Sequence, residues 1–223
     1  SYPEEATVYN LRHIANPYID YTFLPEPNVL PENLYQFDKI DDIDEQHTLK
    51  IGMCNKLQTK RLISISDLIN ADIWTSYRIE RKEDQDRFTG IFFDVKSTIF
   101  DSMEMQIDGE YDPYETEMKT FNTRLTLENA GYWKNKLEHR YRNNSNNLLY
   151  NKLTLTPHAD WKYSLYARYE FEESDLEAWG VSIQHVIDCI TLQVGFEEED
   201  DDFEVWLQFW FTEFPKGKVN IGL

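Results

Sequence analysis

Apolar and polar side chains alternate along this chain with a period of two residues. From Trp161 to Phe171 every odd position is apolar, whereas the even positions carry Lys, Ser, Tyr, Arg and Glu. Successive side chains of a strand point to opposite faces, so this segment is predicted to be a strand with one apolar face. The same alternation runs through Ile190–Phe196 and Phe203–Phe211. With the acidic run Glu197–Asp202 between them, these two segments are predicted to form a hairpin.

The rest of the chain repeats this alternation, interrupted by turn-rich pieces such as 129–131 and 143–147. Helical spacing of apolar residues is not sustained anywhere. The pattern therefore predicts an all-β chain of about 12 antiparallel strands. The further candidate strands are Leu11–Leu24, Thr48–Leu57, Leu62–Ile79, Thr89–Ile99, Met103–Tyr111, Thr120–Leu127, Trp133–Tyr141, Leu148–Leu155 and Leu176–Ile187.

The length of these segments bears on whether the sheet is soluble or crosses a membrane. Ordinary strands have about 5–6 residues, whereas a strand that spans a bilayer needs about 9–11. Segments 161–171, 203–213 and 62–79 meet the longer requirement, and aromatic residues lie near several strand ends. Aromatic rings are favoured at membrane interfaces, but they also fill soluble cores. The pattern alone leaves a transmembrane β-barrel and a soluble sandwich or barrel both open.

Composition excludes several classes of protein. The 223 residues include 22 basic and 41 acidic side chains, a formal net charge of −19, so no nucleic-acid partner is expected. Apolar residues make up 41% and aromatic residues 15%, too many for a disordered acidic chain. No run approaches the ~20 apolar residues that a transmembrane helix needs. We therefore expect a folded β protein without helical membrane spans.

No residue pattern points to catalysis or to a metal. The five histidines are scattered without the short spacing of metal sites. The sequence contains no nucleophile elbow, no zinc-protease helix motif and no phosphate-binding glycine loop. We expect no enzymatic activity, no cofactor and no metal site. The acidic positions predicted to be solvated loop residues rather than cation ligands are the run 197–202 and Asp38, Asp41, Asp42 and Asp44.

Two regions carry a resemblance to a known family. The first joins Leu11–Tyr21, with an Arg-His opening and a Pro-Tyr pair, to the connector Leu34–Asp44 and then to Leu49–Leu57, which ends in Asn-Lys-Leu. The second joins Asp188–Glu197, which contains Cys-x-x-Leu-x-Val-Gly-Phe, to Phe203–Phe211. In order and spacing, over nearly the whole chain, these motifs resemble the outer-membrane lipopolysaccharide-assembly protein family (LptD, also called OstA).

The resemblance implies that residues 1–223 are the C-terminal portion of an outer-membrane β-barrel domain, without the family's amino-terminal periplasmic domain and early strands. About 12 strands would then be part of the wall of a larger barrel in the cell outer membrane. The implied function is that of a non-enzymatic translocon component that inserts lipopolysaccharide into the outer leaflet. The implied partners are lipopolysaccharide, outer-membrane lipid, a plug lipoprotein similar to LptE and a periplasmic bridge protein.

The two faces of the strands assign candidate residues to this function. If the apolar face meets lipid, the other face lines a polar interior, where Lys and Arg favour charge-assisted bonds to the phosphates of a glycolipid. The candidate glycolipid contacts are Lys134, Lys136, Arg140, Lys152, Lys162 and Arg168. By resemblance, the last strand forms one side of a lateral opening, with Phe203, Val205, Leu207, Phe209 and Phe211.

The cysteines are Cys54 and Cys189. Family members carry adjacent cysteines at the closing hairpin, which pair with the amino-terminal domain. Here Cys189 is followed by Ile190, so Cys189 alone is the candidate for such a disulfide. No bridge is predicted for Cys54.

Two other functions stay open from the sequence. One is a soluble all-β ligand-binding module, such as a lipocalin-like barrel, which would not need detergent. The other is a porin-like diffusion channel, which would conduct ions without affecting surface glycolipid.

Overall fold

All regular structure in the described part of the chain is β-strand. The computed structural model describes residues 10–25, 45–61, 64–81, 85–129, 131–199 and 202–222. Within these ranges no helix has the length and apolar character needed to cross a membrane. The strands are β1 (Leu11–Leu24), β2 (Gln46–Arg61), β3 (Ser64–Arg78), β4 (Ile91–Phe100), β5 (Met103–Asp112), β6 (Glu117–Asn129), β7 (Trp133–Arg142), β8 (Asn146–His158), β9 (Trp161–Glu170), β10 (Asp175–Ile187), β11 (Ile190–Glu199), β12 (Asp202–Phe211) and β13 (Val219–Gly222).

The 13 strands form one sheet in which they follow each other in chain order from β1 to β13. The pairings are antiparallel, as between β1 and β2 or between β11 and β12. This confirms the predicted all-β antiparallel fold and the predicted hairpin of Ile190–Phe196 with Phe203–Phe211.

The strand bounds follow the predictions closely in most places. Twelve strands fall on the predicted segments, and β1 has the predicted bounds Leu11–Leu24. Strands β2 and β8 extend beyond the alternating segments, because backbone groups continue to pair whatever the side chains are. Strand β13 has no counterpart among the predicted strands, since four residues are too few to show an alternation.

The chain divides into two compact units. The first contains residues 1–95 and 109–118, and the second contains residues 96–108 and 119–223.

In the first unit, the aromatic ring of Tyr18 on β1 crosses β2 at Gly52. Its hydroxyl donates hydrogen bonds to both carboxylate oxygens of Asp72 on β3, at 3.1 and 3.0 Å. A Cβ atom at Gly52 would lie 2.8 Å from Cε1 of Tyr18, so only glycine leaves room for the ring. The Nζ atom of Lys50 lies 4.6 Å from the ring centroid of Trp74. A glycine thus allows side chains on the outer two of three strands to bond to each other.

In the second unit, the register aligns apolar side chains in rows across neighbouring strands. Residues directly opposite each other in an antiparallel pair share a face. One row reads Leu153, Leu165, Val181, Phe196 and Val205, and the next reads Leu155, Tyr163, Ile183, Val194, Leu207 and Ile221. We call this side of the second unit the apolar face.

The apolar face is exposed, whereas a folded soluble domain would bury it. Leu165 is 48% exposed, Ile183 48% and Val194 50%. Small residues on the opposite side of β10, Ala178 and Gly180, are buried. Among the described residues the only buried large hydrophobic side chains are Leu68 and Trp210. The large apolar side chains of this sheet are therefore not packed into an interior core.

Candidate functional site: the polar face of the second unit

The opposite side of the second unit, which we call the polar face, carries the candidate glycolipid contacts. The register places all six on this one side of the sheet. Lys136 lies opposite Lys152, and Arg168 lies opposite Tyr150. The other three positions are Lys134 opposite Thr154, Arg140 opposite Leu148 and Lys162 opposite Gln184.

Three of these six cations are engaged by carboxylates. Arg168 donates from Nε to Glu177 and from Nη2 to Glu199, both at 2.6 Å. Arg140 contacts Glu138 at 2.9 Å and Lys134 contacts Glu128 at 2.8 Å. These groups are partly or largely exposed, so each pair contributes little to stability. In the part of the chain that the structure describes, Lys136, Lys152 and Lys162 have no ion-pair partner.

The acidic run between β11 and β12 differs from its prediction. Glu197–Glu199 belong to β11 and not to a solvated tip, and Asp202 begins β12. The hydroxyl of Tyr166 donates to Glu197, and Nε1 of Trp179 donates to Oε2 of Glu198 at 2.7 Å. Residues 200–201 lie outside the described residues, as do Asp38, Asp41, Asp42 and Asp44. The prediction of a solvated loop is therefore wrong for Glu197–Glu199 and for Asp202, and the structure does not test it at the other positions.

Small residues on β10 explain how these carboxylates find partners on β9. Gly180 stands between Tyr166 and Glu197 in the register, and Ala178 stands in the same way between Arg168 and Glu199. A Cβ atom at Gly180 would lie 2.6 Å from Cε1 of Tyr166. Long side chains on β9 can reach β11 because the strand between them carries almost no side chain. Glycine and alanine at the polar positions of an alternating strand are a sequence signal that side chains on the two neighbouring strands can bond across it.

A shallow cavity opens on the polar face between β7 and β10. Its volume is about 410 Å³, and its lining combines two guanidinium groups, two carboxylates, a phenol and an aliphatic side chain. The lining residues are Glu138, Arg140, Leu148, Tyr150, Arg168 and Glu177. The charges of these groups balance, so the cavity itself does not select an anion or a cation.

Charge is distributed unevenly over the polar face. Strands β6–β9 carry eight cations there, namely Arg124, Lys134, Lys136, Arg140, Arg142, Lys152, Lys162 and Arg168, against three acids, Glu128, Glu138 and Glu170. Strands β10–β12 contain no Lys or Arg and contribute the acids Asp175, Glu177, Glu197, Glu199, Asp202 and Glu204. In a chain of net charge −19, β6–β9 thus form a basic region.

One of the acids in the basic region has a structural role. Glu170 is only 5% exposed, and its Oε1 accepts hydrogen bonds from the backbone N–H groups of Asn147 at 2.8 Å and of Glu172 at 3.2 Å. It ties the end of β9 to the start of β8 and to the following turn. A carboxylate held by backbone donors in this way is a fixed part of the sheet.

The strand assigned to a lateral opening is not the last strand of the sheet. Phe203, Val205, Leu207, Phe209 and Phe211 share the apolar side of β12, and Phe203 is 73% exposed. However, residues Trp206–Phe209 of β12 pair with β13. The expectation that β12 ends the sheet is wrong, because β13 pairs with it. The four residues of β13 are too few to show an alternation in the sequence. The role of β12 in an opening stays a prediction.

Both cysteines are free thiols. Cys54 is half-buried on β2, and its Sγ lies 3.5 Å from Oδ1 of Asn70. Cys189 is exposed in the turn between β10 and β11. No disulfide therefore joins the two cysteines of this chain, and a bridge from Cys189 to another domain stays a prediction. Among the described residues, no group of three His, Cys, Asp or Glu side chains is arranged to hold a metal ion.

Comparisons with known proteins add little to this description. No family model matches the chain, and no curated protein matches it. Among solved structures the chain is similar to two mutants of the Rh. blastica porin. One has a TM-score of 0.47 at 6% identity, over 94% of this chain and 83% of the porin. The other has a TM-score of 0.46 at 6% identity, over 98% of this chain and 88% of the porin.

Proposed function

We propose that this chain is part of the wall of a β-barrel in the cell outer membrane, with its apolar face against lipid and its polar face toward a water-filled interior. The observation that carries the proposal is the exposure of the aligned apolar rows. Across β8–β13 the two rows cover about 24 Å by 13 Å, roughly 300 Å², at ordinary strand and residue spacings. The exposed side chains that extend the same side of the sheet are Ile187, Ile190, Phe209, Phe211 and Val219. Soluble monomers rarely expose apolar patches above a few hundred Å².

The strand lengths agree with a membrane span. Strands β9, β11 and β12 have 10 residues each, which corresponds to a length of about 33 Å. Tilted by about 40°, such a strand spans about 25 Å, the height of the apolar band in outer-membrane barrels.

Aromatic side chains lie near both ends of the apolar face. At one end Trp133 begins β7, and Trp161 stacks on His185 with ring centroids 3.9 Å apart. At the other end Tyr169 lies near the end of β9, and its ring centroid is 5.1 Å from that of Phe171. Two aromatic bands on either side of an apolar band are typical of outer-membrane barrels.

A direct test is the behaviour of the purified chain in detergent and in water. We expect it to fold only in detergent or lipid and to migrate differently on gels before and after heating. A monodisperse, folded monomer in detergent-free buffer would overturn the membrane proposal. That result would favour the soluble ligand-binding module instead.

The finer proposal is that the chain is a non-enzymatic component of a translocon that inserts lipopolysaccharide into the outer leaflet. The LptD-like motifs at both ends of the chain and the basic region on β6–β9 support it. The proposed partners are a plug lipoprotein similar to LptE and a periplasmic bridge protein. Depletion of the protein should lower the amount of surface lipopolysaccharide, and unchanged surface lipopolysaccharide would count against this role.

A porin-like diffusion channel is the second candidate. The separation of basic strands β6–β9 from acidic strands β10–β12 favours it, because a hydrated face with both signs of charge suits small solutes. The channel candidate predicts steady ion conductance in planar bilayers together with normal surface lipopolysaccharide after depletion. Absence of conductance in folded, bilayer-inserted protein would rule the channel out.

A further inference from the structure

Two lysines face each other on the polar face without a carboxylate between them. Lys136 on β7 lies directly opposite Lys152 on β8. Directly opposite side chains have Cβ atoms about 4.5–5.5 Å apart, so both ammonium groups can reach one point. Their other cross-strand neighbours are Thr126 and Tyr166, neither of which carries a charge that would offset them.

The nearest carboxylates on this face are already bound to other groups. Glu138 contacts Arg140 at 2.9 Å, and Glu128 contacts Lys134 at 2.8 Å. Glu197, which lies beyond Tyr166 in the same row, accepts the hydroxyl hydrogen bond of that tyrosine. Within the described residues, neither Lys136 nor Lys152 therefore has a carboxylate bound to it.

The sheet holds this repulsive pair in register from its other side. Asn135 and Asn151 exchange reciprocal amide hydrogen bonds, at 3.3 and 3.2 Å. Nδ2 of Asn151 also donates to the backbone carbonyl of Lys136 at 3.3 Å. Like charges directly opposite each other destabilise a strand pair, and a register shift would relieve them. The amide pair opposes that shift, so the two lysines stay opposite each other.

We propose that Lys136 and Lys152 form a binding site for a phosphate group. A phosphate monoester brings about two negative charges and several acceptor oxygens, which suits two ammonium groups that share one position. Like charges directly opposite each other are unfavourable in a sheet, and such unfavourable pairs are expected at functional sites. The inference rests on the proposed function, since the polar face must be open to the anion. The phosphate can belong to a glycolipid head group or be free phosphate, and the two sources share this chemistry.

The test uses the full chain folded in uncharged detergent micelles, with inorganic phosphate as the probe and chloride at matched ionic strength as the reference. Phosphate should raise the heat-denaturation midpoint beyond the effect of chloride. Lys152→Gln should weaken phosphate binding at least tenfold and should raise the midpoint without phosphate, because it removes the repulsion. Lys56→Gln is the matched control, since Lys56 on β2 is none of the candidate glycolipid contacts and lies opposite the uncharged Ile14 and Asn70. It should bind phosphate as the unchanged protein does.

A parallel titration with a phosphorylated glycolipid separates the two sources. Binding of both probes with the same loss in Lys152→Gln supports the site for free phosphate as well as for a head group. Binding of the glycolipid alone, lost in Lys152→Gln, supports the site with a lipid-borne phosphate. Binding of neither probe, or equal losses in Lys152→Gln and Lys56→Gln, would overturn the proposal.

Heat-dependent gel mobility of the same samples keeps two failures apart. If the chain inserts into micelles but binds no phosphate, only the proposal of a phosphate site fails. If the chain stays folded in water without detergent, the proposed membrane function fails, and the proposal of a phosphate site fails with it.

Discussion

An arginine placed in the middle of the apolar face gives the sharpest test of which side of the sheet meets lipid. Leu165 is the fifth of the 10 residues of β9, and it lies between Leu153 and Val181 in an apolar row. If β9 crosses the apolar band with a tilt of about 40°, Leu165 lies near the bilayer midplane. Leu165→Arg would then move a guanidinium group into hydrocarbon.

The expected cost follows from the depth of this position. Arginine at the midplane of the lipid face of a barrel costs about 2–4 kcal/mol. At about 1.4 kcal/mol per factor of ten, the folding equilibrium should fall roughly 30-fold to several hundredfold. Ser164→Arg is the matched control, because Ser164 is the adjacent residue on the polar face, opposite Thr154 and Ser182. It should change stability by less than about 1 kcal/mol, since its side chain stays in water.

Both variants can be compared by urea titration of the chain folded in lipid vesicles, with heat-dependent gel mobility as the measure of the folded fraction. Leu207→Arg on β12 offers a second position on the apolar face, opposite Val194 and Ile221. Equal stability of Leu165→Arg and Ser164→Arg would refute the assignment of the apolar face to lipid. A larger loss for Ser164→Arg would show that the polar face is the one that meets hydrocarbon.

Three further predictions concern packing, charge and orientation. Gly195→Val should cost about 1–3 kcal/mol in vesicle stability, because its Cβ would overlap the ring of Trp206, whereas Gly217→Ala meets nothing closer than 3.5 Å and should be neutral; equal effects would contradict this. Arg168→Met should cost less than about 1 kcal/mol in the urea titration, and less still at high salt, because it removes two partly exposed ion pairs. Cys189 should react with a membrane-impermeant maleimide only after the outer membrane is permeabilised, because its turn is expected to face the periplasm. Labelling in intact cells would place this turn on the outer side instead.

The fold could be predicted from the sequence because the alternation itself is a backbone signal. In β9 every odd residue is apolar, so the face and the strand bounds follow from period two alone. In β13 the segment Val219–Gly222 is too short for any period to show. The order of strands was also accessible, because short connections join neighbours.

The bonds of the acidic run could not be predicted, because they depend on register. Whether Glu199 meets Arg168 is decided by which residue of β10 stands between them, here Ala178. A shift of one residue would move every side chain to the other face. The register also decides that Lys136 lies opposite Lys152. The sequence places both lysines on the polar face but does not pair them.

The direction in which the proposed barrel crosses the membrane follows from the lengths of its connections. The two longest connections, 25–45 and 79–90, follow odd-numbered strands. Most connections after even-numbered strands have two residues, and the longer exception is 212–218, before the last strand. The two-residue connections are 62–63, 101–102, 159–160 and 188–189. Successive connections of an antiparallel meander alternate between its two edges, and outer-membrane barrels have short turns on the periplasmic side. The turn that contains Cys189 should therefore face the periplasm. The proposed LptD-like role calls for the same side, because a disulfide from Cys189 to an amino-terminal periplasmic domain needs this turn in the periplasm.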